Sequence, residues 1–453
     1  MSFHSTLSTC GLRLENRLGS GSLWMEQKLR VAICGGGISG LCLAVALSKY
    51  ANVDFHVYEA AERFKEIGAG VMIWTRTWTI LELMGLSEEF SKIAHAPPDS
   101  SLGVGFDYRK SDQPSEGFRF HLVEVPHGCI RFHRADFLDV FVNNLPEGAA
   151  SFSKRLSSYS VQGDEIHLDF HDGSKAICDV LIGCDGIKSI VRNHLFQMLS
   201  NDGEQELLDL IEPTFTGTMA YRALIPVGRL PRNKDGTLHS SLQRPMMHCG
   251  KSKHIVSYSI SRGSIVNVVA LTSDPEKENT VFGGPWVTPC SKEEVQECYC
   301  DWEPEVQTLL KCIEKPTKWA IHQLKPLPFY VSRNVALVGD AAHGMAPHQG
   351  AGAGQAIEDA YVLAKLLGSP LATRETLAHV LRAYEHVRRP MANAILQSSR
   401  DSGLMYEFNY PGLGDHYGAL GPVIQSQWDW VWATHPDEEV ARGFAYLESI
   451  QGH

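Results

Sequence analysis

Arg30-Val-Ala-Ile-Cys34-Gly35-Gly36-Gly37-Ile38-Ser39-Gly40 is a short apolar run that breaks on three consecutive glycines and then resumes. Arg30 to Cys34 is rich in β-formers, and from Leu41 to Tyr50 the apolar residues recur at helical spacing. A second strand pattern, Val53 to Tyr58, ends at Glu59. Strand, glycine turn, helix and strand in this order predict one βαβ unit of a parallel sheet. The spacing Gly35-x-Gly37-x-x-Gly40 adds chemistry. The first glycine permits the tight turn, the second lets backbone approach a pyrophosphate, and the third lets helix pack closely on strand. The helix start offers free N–H groups and a positive dipole end. Glu59 suits a hydrogen bond to an adenosine ribose, so the stretch predicts a dinucleotide site without separating FAD from NAD.

Two segments further along narrow the choice. Asp185-Gly186 follows a buried strand in Leu181-Ile-Gly-Cys-Asp-Gly-Ile-Lys-Ser189. Gly339-Asp340 follows another in Val335-Ala-Leu-Val-Gly-Asp-Ala-Ala-His343, with Pro347 and the loop Gly350-Ala351-Gly352-Ala353-Gly354 behind it. Helices are predicted over 135–145, 292–312 and 353–367, and a hairpin-like stretch over 151–179. Alternating strands dominate from about 215 to 285 and read as an antiparallel sheet with one buried face. Residues 100–130 read as looser, with polar loops. The expected fold is α/β: a Rossmann-like domain broken in sequence (29–100, 130–215 and 330–400) with an inserted antiparallel β-sheet domain (101–129 and 216–329). A helical C-terminus (401–453) follows, and a Ser/Thr-rich leader (1–28) with no apolar signal core is expected to be disordered.

The bulk numbers exclude several classes. A net charge of -11 argues against nucleic acid as the main partner, because phosphate binding wants a basic surface. Eleven scattered cysteines, an odd number, do not look like a disulfide framework, and no second clustered pair accompanies Cys298, Cys300 and Cys312 to suggest a metal site. No run of about 20 apolar residues is present, so no membrane-spanning helix is expected. Cytoplasmic thiols are the simplest reading.

Together the three segments resemble the single-component flavoprotein aromatic hydroxylases, the family of salicylate and para-hydroxybenzoate hydroxylases. The likeness spans roughly residues 30 to 400 and is greatest to the salicylate-hydroxylase-like and fungal phenolate-dearomatising branches. The resemblance implies FAD as cofactor, with Gly35, Gly37, Gly40 and Glu59 at its adenosine end. Arg134 and Asp340 would lie near the ribityl and pyrophosphate region, Asp185 in the motif shared by FAD and the nicotinamide cofactor. Gly70, Pro347, Gly350, Ala351, Gly352 and Ala353 would lie near the isoalloxazine ring. On the substrate side, Arg222 in Tyr221-Arg222-Ala-Leu-Ile-Pro226 and Tyr258 on a neighbouring strand would anchor a phenolate oxygen, and His348 would stand at the flavin edge. One departure stands out: many family members carry Pro-Asn after the Gly68-Ala-Gly70 segment, where this chain runs on to Thr75-Arg76-Thr77-Trp78. The Trp428-x-Trp430-x-Trp432 tail lacks the Ile-Pro of the halogenase motif.

The implied activity is insertion of one atom of O2 into a small phenolic substrate through a flavin hydroperoxide. NAD(P)H would act as transient reductant, since no second dinucleotide fold is evident. The expected partners are the aromatic substrate and O2, without nucleic acid or a membrane span, in a monomer or homodimer of secondary metabolism. Three alternatives stay open: an epoxidase of the same superfamily, a non-catalytic flavin-fold binding protein, and a pyridine-nucleotide dehydrogenase, which would leave the Asp185 and Asp340 segments unexplained.

Overall fold

The structure, a computed structural model, describes residues 28–64, 69–201, 205–233 and 235–451. Apart from Lys28, the expected leader lies outside the described residues, as does Gly68. The strand Leu29–Cys34 is buried almost throughout and sits mid-sheet. It pairs in parallel with Val53–Tyr58 on one side and Val180–Gly183 on the other. A strand covered on both faces has no polar side to show, so its sequence is a continuous apolar run and not an alternation. The six-stranded sheet runs, by first residue, Val331, Val335, Val180, Leu29, Val53, Ala150, and only its Val331 edge is antiparallel. The first helix, Ile38–Leu47, is buried along its whole length and packs against Gly352–Leu367. The hairpin-like stretch forms its own small sheet of three strands, from Leu156 to Cys178.

The second large sheet has eight strands, in the order Val287, Thr317, Thr214, Ile265, Lys253, Met246, Leu102, Phe118 by first residue. It is antiparallel except for one parallel pair, Met246–Gly250 beside Leu102–Lys110. The loops expected over 100–130 are instead two nine-residue strands, Leu102–Lys110 and Phe118–Pro126. Their charged outward residues and glycines hide an inward row of Phe106 and Tyr108, which bury only once the distant Met246 strand lies alongside. The helix expected over 292–312 is two, Lys292–Cys298 and Pro304–Lys311, because Pro304 opens a new helix and cannot continue the old one.

Register assigns the faces of this sheet. Tyr258 lies opposite Asn267, Asn267 opposite Leu224, and Val256 and Arg222 both opposite Val269. Residues directly opposite share a face, so Arg222, Asn267, Tyr258 and His254 all point one way, toward the dinucleotide-binding body. The other face carries Tyr221, Ile255, Val268 and Ala270, which pack under the helices holding Val295 and Leu309.

The C-terminal helices are tied to the nucleotide-binding body by buried charge. Arg76, at the departure from the family pattern, lies in the helix Thr75–Leu83. It donates to Glu358 at 3.0 Å, to Glu439 at 2.6 Å and to the Thr434 carbonyl at 2.6 Å. Arg388, on the thirty-residue helix Leu377–Tyr406, reaches Asp359 at 2.8 Å, Glu439 at 3.0 Å and Gln355 at 2.7 Å.

Candidate active site

The glycine turn is built as a cradle. Gly35 has φ +107, and a Cβ there would lie 2.2 Å from the Cys184 carbonyl oxygen. A Cβ on Gly40 would lie 1.9 Å from the Gly35 carbonyl oxygen, whereas one on Gly37 would meet nothing within 4 Å. Gly35 and Gly40 thus hold the turn closed, and Gly37 keeps a face open for a ligand. No side chain caps the helix that starts here, and its first turn carries no acid. Glu59 receives the N–H of Gly36 at 2.6 Å and that of Ala61 at 2.7 Å. A cavity of about 340 Å³ opens between Gly35–Gly37, Glu59, Asp185 and Gly186, with Lys154, Arg155 and Lys188 on its walls. Gly40→Val is expected to weaken cofactor binding by roughly 10- to 100-fold, since overpacking forces the backbone apart. The cofactor-to-protein ratio after purification is the measurement.

Asp185 spends its carboxylate locally. It receives the Ser189 hydroxyl and the N–H groups of Ile190 (2.7 Å) and Val191 (3.1 Å), capping the helix Ile190–Asn201. Burial nevertheless raises its pKa. Asp340, by contrast, is exposed and follows Gly339, whose φ is +63. A Cβ on Gly352 would come within 4.0 Å of its Oδ1, so Asp340 faces the start of the helix Gly352–Leu367. That helix, with Ala351 at its N-cap, has no capping side chain and no acid in its first turn. Pro347 is exposed, Gly352 and Ala353 half-buried. Gly350 has φ +59, and a side chain there would strike Met72. The Gly339-Asp340 turn is held from beneath by Asp359, which receives the Gly339 N–H at 2.9 Å and pairs with His343 at 2.5 Å. Asp359 was not singled out in the sequence, where an acid inside a helix has no local mark.

A larger cavity, of about 630 Å³, opens on the eight-stranded sheet beside Ala69 and Arg134. Arg134, Arg222, Asn267 and Trp319 line it, so two of the expected site arginines share one space. The Arg222 guanidinium stands 5.0 Å from the Trp319 ring centroid. Arg134 heads the helix Arg134–Asn143 and donates its N–H to the Ala69 carbonyl at 2.8 Å. Tyr258 is buried beside Gly70, where a Cβ would lie 2.6 Å from its hydroxyl oxygen. Burial pushes the Tyr258 phenol far above its ordinary range, against the pull of Arg222 and Arg131, so it remains an O–H donor. Asn267 also went unmarked in the sequence.

His348 lines neither cavity. It is buried over Gly403, with Nδ1 3.4 Å from His254 Nε2, and His254 in turn meets Glu407 at 2.9 Å. Burial, reinforced by His254, holds His348 well below the usual histidine pKa, and burial with Arg131 brings His95 down to about 4. Both rings stay neutral in the native state where the unfolded chain takes up protons. Their contribution to stability is therefore complete above pH ~6.5 and lost as pH falls below it. The unfolding free energy, read by denaturant titration, is expected to fall between pH 7 and 5, and His348→Gln to flatten that slope by up to ~1.4 kcal/mol per pH unit.

The open Gly37 face, two uncapped helix starts and the Asp340 turn suit an extended, doubly anionic dinucleotide, and the residues fit FAD. The chain matches the FAD binding domain family over residues 28–216 and 275–399. A salicylate hydroxylase of Pseudomonas putida is 40% identical over 417 residues, covering 91% of this chain and 93% of that protein. A 6-methylsalicylate 1-monooxygenase of Aspergillus terreus is 36% identical over 416 residues, 90% of each. Among solved structures, a salicylate hydroxylase substrate complex superposes with a TM-score of 0.82 at 34% identity, covering 92% of this chain and 98% of that one. The chain belongs to the salicylate-hydroxylase-like family of FAD-dependent aromatic monooxygenases.

Proposed function

We propose that the substrate is a phenol carrying an ortho carboxylate or carbonyl, a salicylate in the simplest case, and that it binds in the larger cavity. The observation that carries this reading is that Arg222, which lines the cavity, shares one sheet face with Tyr258, which is buried beside Gly70. Arg134, Arg222, Arg229 and Lys315 stand around the cavity against a single acid, Glu314, in a chain that is acidic overall. Such a local field selects an anion. Arg222 holds the substrate oxygens, fixes the ring's orientation and lowers the pKa of the phenol, while Tyr258 donates its O–H to the resulting phenolate. The ring is then at its most electron-rich.

FAD, reduced by NAD(P)H, supplies the activation of O2. Gly35, Gly37, Gly40 and Glu59 would hold its adenosine end, and Arg134 and Asp340 its middle. Gly70, Pro347, Gly350, Ala351, Gly352 and Ala353 would surround its ring, with Asp185 walling the adenosine cavity. His348, behind His254, would support the pocket wall rather than touch substrate. The relatives' activities toward salicylate and 6-methylsalicylate support this substrate class. The ten described cysteines are free thiols, which suits a cytoplasmic enzyme, and a monomer or homodimer would serve equally.

The test is NAD(P)H oxidation by FAD-loaded protein with a panel of salicylates, resorcylates and orcinaldehydes, followed by product masses. Acceleration with a product gaining one oxygen, or exchanging CO2 for oxygen, supports the reading. No stimulation by any member, with FAD bound, overturns it.

A further inference from the structure

We infer that Asn267 is a specificity residue whose side-chain amide donates to the oxygen ortho to the phenolate. The inference rests on the substrate class proposed above. Asn267 sits mid-sheet between Tyr258 and Leu224, on the face it shares with Arg222. It is only 2% exposed and lines the larger cavity. Asn is disfavoured in strand interiors, and its same-face neighbours along the strand are Ile265 and Val269. Here a polar group stands where an apolar residue would pack better.

The orientation of the amide follows from its partner. Gly70 donates its N–H to Asn267 at 3.0 Å, and only the oxygen can accept, so the Nδ2 amino group points elsewhere. That amino group is shielded from solvent and meets no acceptor among the described residues. A buried donor left unmatched is unfavourable, and a ligand oxygen at the cavity wall would match it. With Asn267 included, this face presents three kinds of donor, namely guanidinium, phenol and amide. A ligand edge that satisfies them carries two adjacent acceptor oxygens, as in a 2-hydroxybenzoate and not in phenol. The phenolate oxygen goes to Arg222 and Tyr258 and the neighbouring oxygen to Asn267. Sites that hydrogen-bond a substrate group discriminate strongly against analogues lacking it, because their own buried donors are then stranded.

The experiment measures dissociation constants of salicylate and phenol on FAD-loaded wild type, Asn267→Ala and Asn267→Asp, by the change in protein and flavin fluorescence. FAD content and melting temperature serve as checks on folding. Asn267→Asp keeps the acceptor for Gly70 but removes the donor. It is expected to weaken salicylate by roughly 100-fold and phenol by less than about 5-fold, so that the preference collapses. Salicylate affinity unchanged in Asn267→Asp would overturn the inference and leave Asn267 as a buttress for Gly70. Should neither variant fold, the wild type alone decides. A salicylate-to-phenol preference below about 10-fold would refute a dedicated ortho-oxygen donor. Wild type that binds neither compound would refute the substrate class itself, and the role of Asn267 with it.

Discussion

Arg388→Met should lower the stability of the enzyme by about 3–5 kcal/mol, the largest effect expected of any single side chain outside the glycine turn. Arg388 is fully buried and is the counter-charge for Glu358, Asp359 and Glu439. Without it, three buried carboxylates would share Arg76 and whatever charge His343 carries. Removing one partner from a buried network strands the others out of reach of water, which costs more than the pair contributed. A fall in melting temperature of roughly 3–5 °C is the expected reading for a chain of this size. Arg388→Lys should recover little, because one ammonium cannot replace a fork that meets four side chains at once. FAD retention should fall as well, since Asp359 is also the anchor of the Gly339 N–H. An unchanged melting temperature in Arg388→Met would show that the network is neutral to stability.

The second large effect concerns binding. Arg222→Gln is expected to weaken salicylate by about 30-fold to 1,000-fold, corresponding to ~2–4 kcal/mol for a truncated charged contact. Arg222→Lys should recover part of this, as the charge survives without the planar fork or the stacking on Trp319. The signature is a rise in KM and in the salicylate dissociation constant at constant FAD content. Loss of FAD with normal affinity for substrate would instead place Arg222 on the cofactor side of the cavity, beside Arg134.

The glycine motifs could be read from the sequence because each is a local requirement. Gly35 and Gly40 are demanded by atoms within a few residues or on the adjoining strand. The strands Val53–Tyr58 and Val180–Gly183 announced themselves by short apolar runs for the same reason. What escaped depends on partners far away in the chain. Leu102–Lys110 mixes glycine, aspartate, arginine and lysine and becomes a strand because Met246–Gly250 and Phe118–Pro126 flank it. Arg76 read as an unexplained departure, and its meaning lies in Glu358 and Glu439. Asn267 and Asp359 have no motif at all, since their roles are defined only by what faces them across the fold.

The sheet order carries a consequence for how this protein comes into being. Leu29–Cys34 can pair with Val53–Tyr58 soon after both are made, but its other neighbour, Val180–Gly183, is bordered in turn by Val335–Leu337. The charges that lock this body together wait for Glu439. On the ribosome, then, the edge of the half-built sheet stays unpaired for most of translation. FAD has no finished cradle to enter until nearly the whole polypeptide has been synthesised, so cofactor capture becomes one of the last events of biogenesis.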